Sequence, residues 1–433
     1  MHNRIDTVQW WHALRRPARR LLIATLVVAG VFLSVAAEAQ TFRFSGFLIA
    51  RGIETRSQPS WLSGGFGRLD TGARSANDSK MTAVEVAQLG ADWTPTQWFD
   101  AHVQGIARHD PPGSGGRRVG LIEAYADLRK DFGSSELQLR VGQFFLPTSR
   151  ENTDNLWTSR YTITLSALNT WIGEEFRPIG SELQWKKLTS TTVWTFAGGA
   201  FRGNDTSGAL LGWRGWSLGS RLTTYGEVLP LPPLFSLRDP IGFADQRRDG
   251  TKPFGSDLDG RTGITARLRL QIPERALVQF AHIDNRGDRR EYRDEYAWQT
   301  RFNIASGEIT TARHTTIATE YGWGSTGMGF APQARVDLSF AAWYALMSQL
   351  LGRNRLSARY DGFRTIDRDH SFAENNNEHG RAWTLAWFFE PRPSVRLGAE
   401  FASISARRIA AAESGFDPNT DGRTLTLEAR YRF

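Results

Sequence analysis

The last eleven residues, 423–433, constrain this chain more than any other stretch. Leu425, Leu427, Ala429, Tyr431 and Phe433 fall on one side of an extended strand, and Thr424, Thr426, Glu428, Arg430 and Arg432 on the other. Side chains alternate with period two along a strand, so one face is apolar to the final residue and the other is polar and charged. A soluble protein rarely ends on such a face. A strand with lipid on one side and a water-filled lumen on the other requires it.

Short alternations of the same kind recur from Thr41 onward. Seven short connections are expected at Thr94 to Gln97, Lys130 to Ser135, Lys187 to Thr191, Ile272 to Arg275, Ala305 to Glu308, Leu350 to Asn354 and Pro391 to Ser394. Eight longer ones are expected near 56–81, 109–118, 145–179, 203–260, 284–295, 322–334, 366–380 and 408–422. Seven tight turns and eight long loops join sixteen strands with both termini at the short-turn end. Closed bacterial single-chain barrels have an even strand number, short periplasmic turns and long outer loops. The expected fold is therefore all-β, a transmembrane antiparallel β-barrel of 16 strands. Eighteen would follow if Leu210–Ser217 and Arg221–Val228 were strands, but the Pro232-Pro233 pair nearby argues against further strand structure.

The alternation also assigns faces. Phe99, Ala101, Val103, Gly105 and Ala107 point outward against Asp100, His102, Gln104 and Arg108, and Val336, Leu338, Phe340, Ala342 and Tyr344 against Arg335, Asp337 and Ser339. An Arg or Lys on the lipid face at midplane costs about 2–4 kcal/mol, so the arginines belong inside. The expected lumen-facing bases are Arg43, Arg108, Arg129, Arg140, Arg267, Arg269, Arg301, Arg355, Arg359, Arg396, Arg430 and Arg432, opposed by Asp100, Glu123, Asp127, Glu320, Asp337, Asp361, Glu400 and Glu428. Trp93, Phe99, Trp383, Trp387, Phe389, Tyr431 and Phe433 suit interfacial girdles.

The start of the chain fits export. Arg15, Arg16, Arg19 and Arg20 precede an apolar run from Leu21 to Ala37, and Ala37-Glu38-Ala39 is a cleavage pattern, so residues 1–39 read as a cleaved signal peptide and 40–433 as a single barrel. Cleavage removes five Arg and two acids, which lowers the formal charge from +8 to +5. The remaining arginines are scattered singly along strands, which does not suit nucleic acid. The chain has no Cys, which rules out disulfides and thiolate chemistry. It is also too short for a plugged barrel of 22 strands.

A sixteen-strand barrel is wide enough for an aqueous channel, so function falls to whatever narrows it. The long third loop, 145–179, supplies the constriction candidates Arg150, Glu151, Asp154, Arg160, Glu174, Glu175 and Arg177 beside Trp157, Leu165, Leu168 and Trp171. Its apolar residues suggest packing against the inner wall, and charged rings in a constriction set ion selectivity. The fourth loop, 203–260, with Trp213 and Trp216, is the alternative cap.

Leu121 to Leu128 (LIEAYADL), Val141 to Pro147 (VGQFFLP), Arg150-Glu151-Asn152, Arg359 to Phe363, Ala382 to Ala386 and the final Ala429 to Phe433 together resemble the phosphate-selective porin O/P family. The resemblance spans most of residues 120–433. It implies a sixteen-stranded diffusion channel of the Gram-negative outer membrane, commonly trimeric, with loop three inside. It also implies that Tyr431 and Phe433 form the signal read by the barrel-assembly machinery. The chain departs from that family at Phe144 and Phe145, where a basic residue is common, and mixes acids into loop three.

The expected function is a porin: passive diffusion of small hydrophilic solutes with a weak preference for anions, in contact with outer-membrane lipid and lipopolysaccharide, without cofactor. The alternatives are an occluded barrel with a structural or surface-recognition role and an outer-membrane enzyme. His102 beside Asp100 has no G-x-S-x-G elbow to serve, so no catalytic residue is assigned. Asp367, Asp369, His370, Glu374 and Glu378, and separately Asp417 to Gly422, offer oxygen and imidazole ligands but complete no twelve-residue EF-hand pattern. No metal is assigned from sequence.

Overall fold

The computed structural model describes residues 41–109, 118–238, 243, 250–331, 334–369, 371 and 374–433. The expected signal peptide lies outside the described residues. The strands, in chain order, are β1 (Thr41–Arg56), β2 (Ser79–Thr96), β3 (Phe99–His109), β4 (Val119–Phe132), β5 (Ser135–Gln143), β6 (Ile179–Leu188), β7 (Val193–Arg202), β8 (Gly263–Ile272), β9 (Ala276–Asp284), β10 (Gln299–Thr310), β11 (Thr315–Ala331), β12 (Ala334–Leu351), β13 (Asn354–Asp367), β14 (Glu378–Arg392), β15 (Val395–Arg408) and β16 (Asn419–Arg432). Neighbours in sequence are neighbours in the sheet, and β1 meets β16, closing a sixteen-stranded barrel. At the seam Phe47 faces Arg432 and Arg56 faces Arg423. Gly46 N–H donates to the Phe433 carbonyl at 3.0 Å and Phe433 N–H to the Gly46 carbonyl at 3.1 Å. Closure leaves no edge, so every strand has partners on both sides, as a bilayer demands. Among the described residues no helix is long and apolar enough to cross a membrane.

The terminal strand shows the sorting of faces. Leu425, Leu427, Tyr431 and Phe433 are about half exposed (49–61%), whereas Thr424, Thr426, Glu428 and Arg430 are buried. Leu356, Leu397, Phe401, Leu183 and Val278 extend the same exposed apolar belt, which is far larger than a water-soluble surface presents. It faces lipid. Outward aromatic pairs gather at the short-turn end: Phe42 with Trp93 (6.1 Å between ring centroids), Trp93 with Phe99 (5.9 Å) and Tyr431 with Phe433 (6.4 Å). The short turns are tight. Leu351 pairs with Asn354 across Gly352, whose φ of +60° is one that glycine adopts without strain.

Several expectations are corrected. Residues 305–308 are not a turn, because β10 continues to Thr310 and the connection lies between Thr310 and Thr315. The Ser and Gly that suggested a turn there are small residues on a continuous strand. The long loop expected over 322–334 is strand instead, with β11 running to Ala331 and β12 starting at Ala334. Residues 210–217 and 221–228 form no strand, since Ala209–Trp213 is a short helix and the remainder is irregular. On β12 the faces are reversed. Val336, Leu338, Phe340, Ala342 and Tyr344 are buried on the inner face, and Asp337 sits on the other face in ion pairs with Arg335 and, at 2.7 Å, Arg289. The reason is that the inner face here meets protein, not water. Arg301 likewise points outward. Thr300, Phe302 and Ile304 occupy the inner positions of β10, and Arg301 lies exposed near the outer end of the strand.

Candidate functional site

Loop three, between β5 and β6, lies inside the barrel and carries helix α1 (Ala167–Glu175). Ser166 caps the helix by accepting from the Asn169 N–H, the partner a helix start needs. Four carboxylates spaced around the wall accept backbone N–H groups of this loop. Glu123 on β4 takes Phe145 N–H at 2.6 Å. Glu320 on β11 takes Arg150 N–H at 2.9 Å, Asp361 on β13 takes Ala167 N–H at 3.1 Å, and Glu400 on β15 takes Thr164 N–H at 2.9 Å. Arg359 ties the arrangement together: it pairs with Asp361 at 2.9 Å and with Glu151, and donates to the carbonyls of Thr164 (2.7 Å) and Leu165 (3.0 Å). Charge-assisted bonds of this kind are the strong ones. These wall charges therefore fasten a loop.

The other side of α1 is apolar. Trp171 meets Phe302 and Phe340 edge-on at 5.0 and 5.2 Å, and Phe176 meets Phe302 at 5.2 Å. Loop four joins the same core through Trp213, against Phe243 (5.0 Å) and Trp298 (5.7 Å), and through Trp216, against Trp171 (5.9 Å). Loop one adds Phe66 and Leu69. Glycine permits the closest approaches. A Cβ at Gly322 would lie 2.7 Å from Leu168, and one at Gly120 would lie 2.4 Å from Thr224. The inner face of β8–β16 is buried along most of its height, so loops one, three and four make a dry core inside the barrel.

Most of the charged residues expected at the constriction are enclosed in this core. Glu151 pairs with Arg359, Glu174 with Arg214 at 2.6 Å, and Glu175 accepts from Leu210 N–H at 2.9 Å and from the Trp171 indole. Arg177 donates to the carbonyls of Thr223 (2.7 Å), Ile122 (3.1 Å) and Gly173 (3.1 Å) and stacks over Phe145 at 4.0 Å. Arg150 is also buried. Asp154 and Arg160 alone of the seven border the open volume described below. Burial pushes the carboxyls of Glu174 and Glu175 up to about 7. For Glu227 in loop four burial acts in the same sense, but Arg221 and Arg108 prevail and hold it at about 2.

The wall arginines divide in a similar way. Arg108 makes a bidentate pair with Glu227 at 2.8 Å, Arg140 pairs with Asp127 at 2.8 Å, Arg129 with Asp100 at 2.6 Å and Arg267 with Glu182 at 2.7 Å. Arg269 donates to Gln279 and to the Pro147 carbonyl. Glu428 gathers Arg51, Arg396 and Arg430 at 2.9–3.2 Å. Arg43 lies exposed near the start of β1, on the side of Phe47.

Arg355 and Arg432 line a chamber of about 500 Å³ at the short-turn end, together with Arg160, Arg353, Arg392, Asp154 and Glu390. Five guanidiniums face two carboxylates there, an excess of three positive charges. Arg432 pairs with Glu390 at 3.1 Å and Asp154 at 3.4 Å. Arg353, Arg392 and Glu390 do not show in the strand alternation because they sit in or beside turns. Arginine in a turn beside an inward Arg of the adjoining strand is the signal that finds them. Above this mouth a second cavity of about 90 Å³ lies between loop three and β1–β3, lined by Phe47, Ile49, Val86, Ile106, Arg51, Arg108 and Arg430. Residues 158–160 of loop three separate the two, with Thr158 and Ser159 on the upper cavity and Arg160 on the lower. His102 pairs with Asp92 at 2.7 Å and stacks on Tyr125.

No family model matches the sequence, and no curated protein matches it. Solved structures do match along nearly the whole length. The outer-membrane channel DcaP of Acinetobacter baumannii superposes with a TM-score of 0.54 at 12% identity, covering 92% of this chain and 99% of that one. Salmonella typhi OmpF, in complex with daunomycin, gives 0.52 at 9%, covering 92% and 99%. An anion-selective porin from Comamonas acidovorans gives 0.51 at 9%, covering 91% and 100%. What these likenesses support is the fold, a closed transmembrane β-barrel, of sixteen strands in this chain.

Proposed function

We propose that the chain forms a narrow, anion-preferring diffusion channel of the bacterial outer membrane for small hydrophilic solutes. The observation that carries this reading is the basic chamber at the short-turn end, where Arg160, Arg353, Arg355, Arg392 and Arg432 outnumber Asp154 and Glu390. A mouth of one sign with low-dielectric walls concentrates ions of the opposite sign. On this reading solutes pass residues 158–160, which separate the two cavities, into the upper one beside β1–β3, lined by Thr158 and Arg430. The chamber sorts by sign of charge. Selectivity for phosphate, which the sequence resemblance suggests, would require anion donors at the constriction, and Phe144 and Phe145 are buried there instead. Assembly as a trimer is part of the same reading.

The test is single-channel recording of the purified protein in a planar bilayer. Small ohmic steps, with a reversal potential of the anion-selective sign in a KCl gradient, are the expected result. Clear cation preference would refute it. A second reading, an occluded barrel with a structural or recognition role, is favoured by the dry core, in which Trp61, Trp171, Trp213, Trp216 and Trp298 are fully buried. Electrical silence of correctly folded protein would select it.

A further inference from the structure

The loop between β13 and β14, at the long-loop end, holds three carboxylates whose oxygens approach one another. Asp367 ends β13, Asp369 follows two residues on, and Glu374 returns to them, so that one ligand oxygen from each lies within 4.8 Å of the others. Backbone donors hold two of them from behind. Asp367 accepts from Asp369 N–H at 3.1 Å and Asn376 N–H at 2.9 Å, and Asp369 accepts from Ser371 N–H at 2.8 Å. Glu374 is 97% buried (3% exposed). Its Oε2 accepts from the Asn376 amide, while its Oε1 is buried with no hydrogen-bond partner among the described residues. A buried, unpartnered carboxylate oxygen carries a desolvation cost that something must offset.

Among the described residues, the bases near Glu374 do not supply that offset. Arg408, the arginine that acts on Glu374, is held by Glu378 at 3.0 Å, Asn376 Oδ1 at 2.8 Å and the Gly212 carbonyl at 2.6 Å. Glu413, a further acid acting on Glu374, adds to the negative charge. We propose that Asp367, Asp369 and Glu374 form a calcium-binding site in this outer loop, with Glu374 Oε1 as the ligand that has no other partner among the described residues. The donor set is all oxygen, which hard cations prefer. Ca²⁺ binds oxygens at about 2.3–2.6 Å, so ligands on opposite sides of the ion stand roughly 4.6–5.2 Å apart, whereas around Mg²⁺ they stand only about 4.0–4.2 Å apart. The three oxygens lie within 4.8 Å of one another, near enough to share one ion, and a loop site suits Ca²⁺, which accepts flexible geometry, better than Mg²⁺, which dehydrates reluctantly. Bound there, the ion would tie the loop to β12, because Asp369 also accepts the Asp337 N–H.

The test uses the full chain in detergent, stripped with EDTA and titrated with CaCl₂ by calorimetry. One ion per chain is expected, with a Kd of about 10⁻⁴–10⁻³ M, the range of extracellular calcium modules. Glu374→Gln and Asp369→Asn are each expected to weaken binding at least about tenfold, one such factor being 1.4 kcal/mol, and MgCl₂ at equal concentration is expected to displace little. Asp257→Asn, in the acidic group of loop four with Asp205 and Asp259, should leave binding unchanged. Absence of one-ion binding in the parent protein overturns the proposal. So does wild-type affinity in both loop variants, or loss of binding in Asp257→Asn alone. Thermal unfolding of each variant without calcium separates loss of the site from loss of the fold.

Discussion

The two ends of the barrel interior are built on opposite terms. Toward the long-loop end, loops one, three and four pack Trp171, Trp213, Trp216 and Phe176 against Phe302, Phe340 and Trp298 of the wall. Toward the short-turn end the interior opens into a chamber walled by Arg160, Arg353, Arg355, Arg392 and Arg432. The same kind of strand serves both regions, but what it faces differs. Where the inner face is wet, alternation sorts charge inward and apolar groups outward. Where it is buried against loops, as on β12, apolar groups also face inward and alternation no longer tells inside from outside. The difference separates a part that holds loops in place from a part left open and lined by arginines.

The sharpest way to break this division is at its polar fastening. Arg359→Ala leaves Glu151 and Asp361 buried without their cation, at a cost of about 3–5 kcal/mol. Loop three should then be cut readily by protease, and the channel should conduct more and with greater noise. An unchanged proteolysis pattern would show that the fastening is not electrostatic. Trp171→Ala attacks the apolar side of the same helix, with a loss of about 3–5 kcal/mol expected for truncating a buried Trp. Because the hydrogen bonds to Glu123, Glu320 and Glu400 survive, the expected result is a lower unfolding midpoint with loop three still protected.

The inner mouth is tested separately. Arg355→Glu with Arg392→Glu should invert the ion preference read from the reversal potential while leaving thermal stability nearly unchanged, since neither residue belongs to the dry core. Unaltered selectivity would place the filter elsewhere. The smallest effect expected is that of pH. The carboxyls of Glu174 and Glu175 are raised by burial from 4.5 to about 7, so across this window the folded protein holds protons that the unfolded chain has released. Stability therefore falls as pH rises from about 4.5 to about 7, and levels off above it. The protection of α1 amides, taken relative to their base-catalysed intrinsic exchange, should fall as pH rises through this window, and constant protection would mean that the pairing of Glu174 with Arg214 dominates.

The same contrast explains what the sequence made legible. Strands β13, β15 and β16 carry Arg, Asp, Glu or Thr at alternate positions, so Leu356, Leu397 and Leu427 could be turned outward from sequence alone. The closing seam and the strand number followed from the spacing of turns. On β12 the alternation was just as clear, but its apolar residues pack on Trp171, a contact that lies more than 160 residues away in sequence and that no local pattern contains. Arg301 was misplaced for a related reason, because a charge near the outer end of a strand lies beyond the lipid and is free to face outward. Loop three was recognisable by its length and its tryptophans. Its fastenings were not, because Glu123, Glu320, Asp361 and Glu400 look like ordinary lumen acids until the N–H groups they accept are seen.

Those four carboxylates also govern when the interior can be finished. Loop three is made early in the chain, yet Glu320, Asp361 and Glu400 follow their partners in it by 170, 194 and 236 residues. Contacts of such long sequence separation form slowly, because loop-closure entropy must be overcome first. Three of the four wall carboxylates thus make the seating of the loop depend on strands that come much later in the chain.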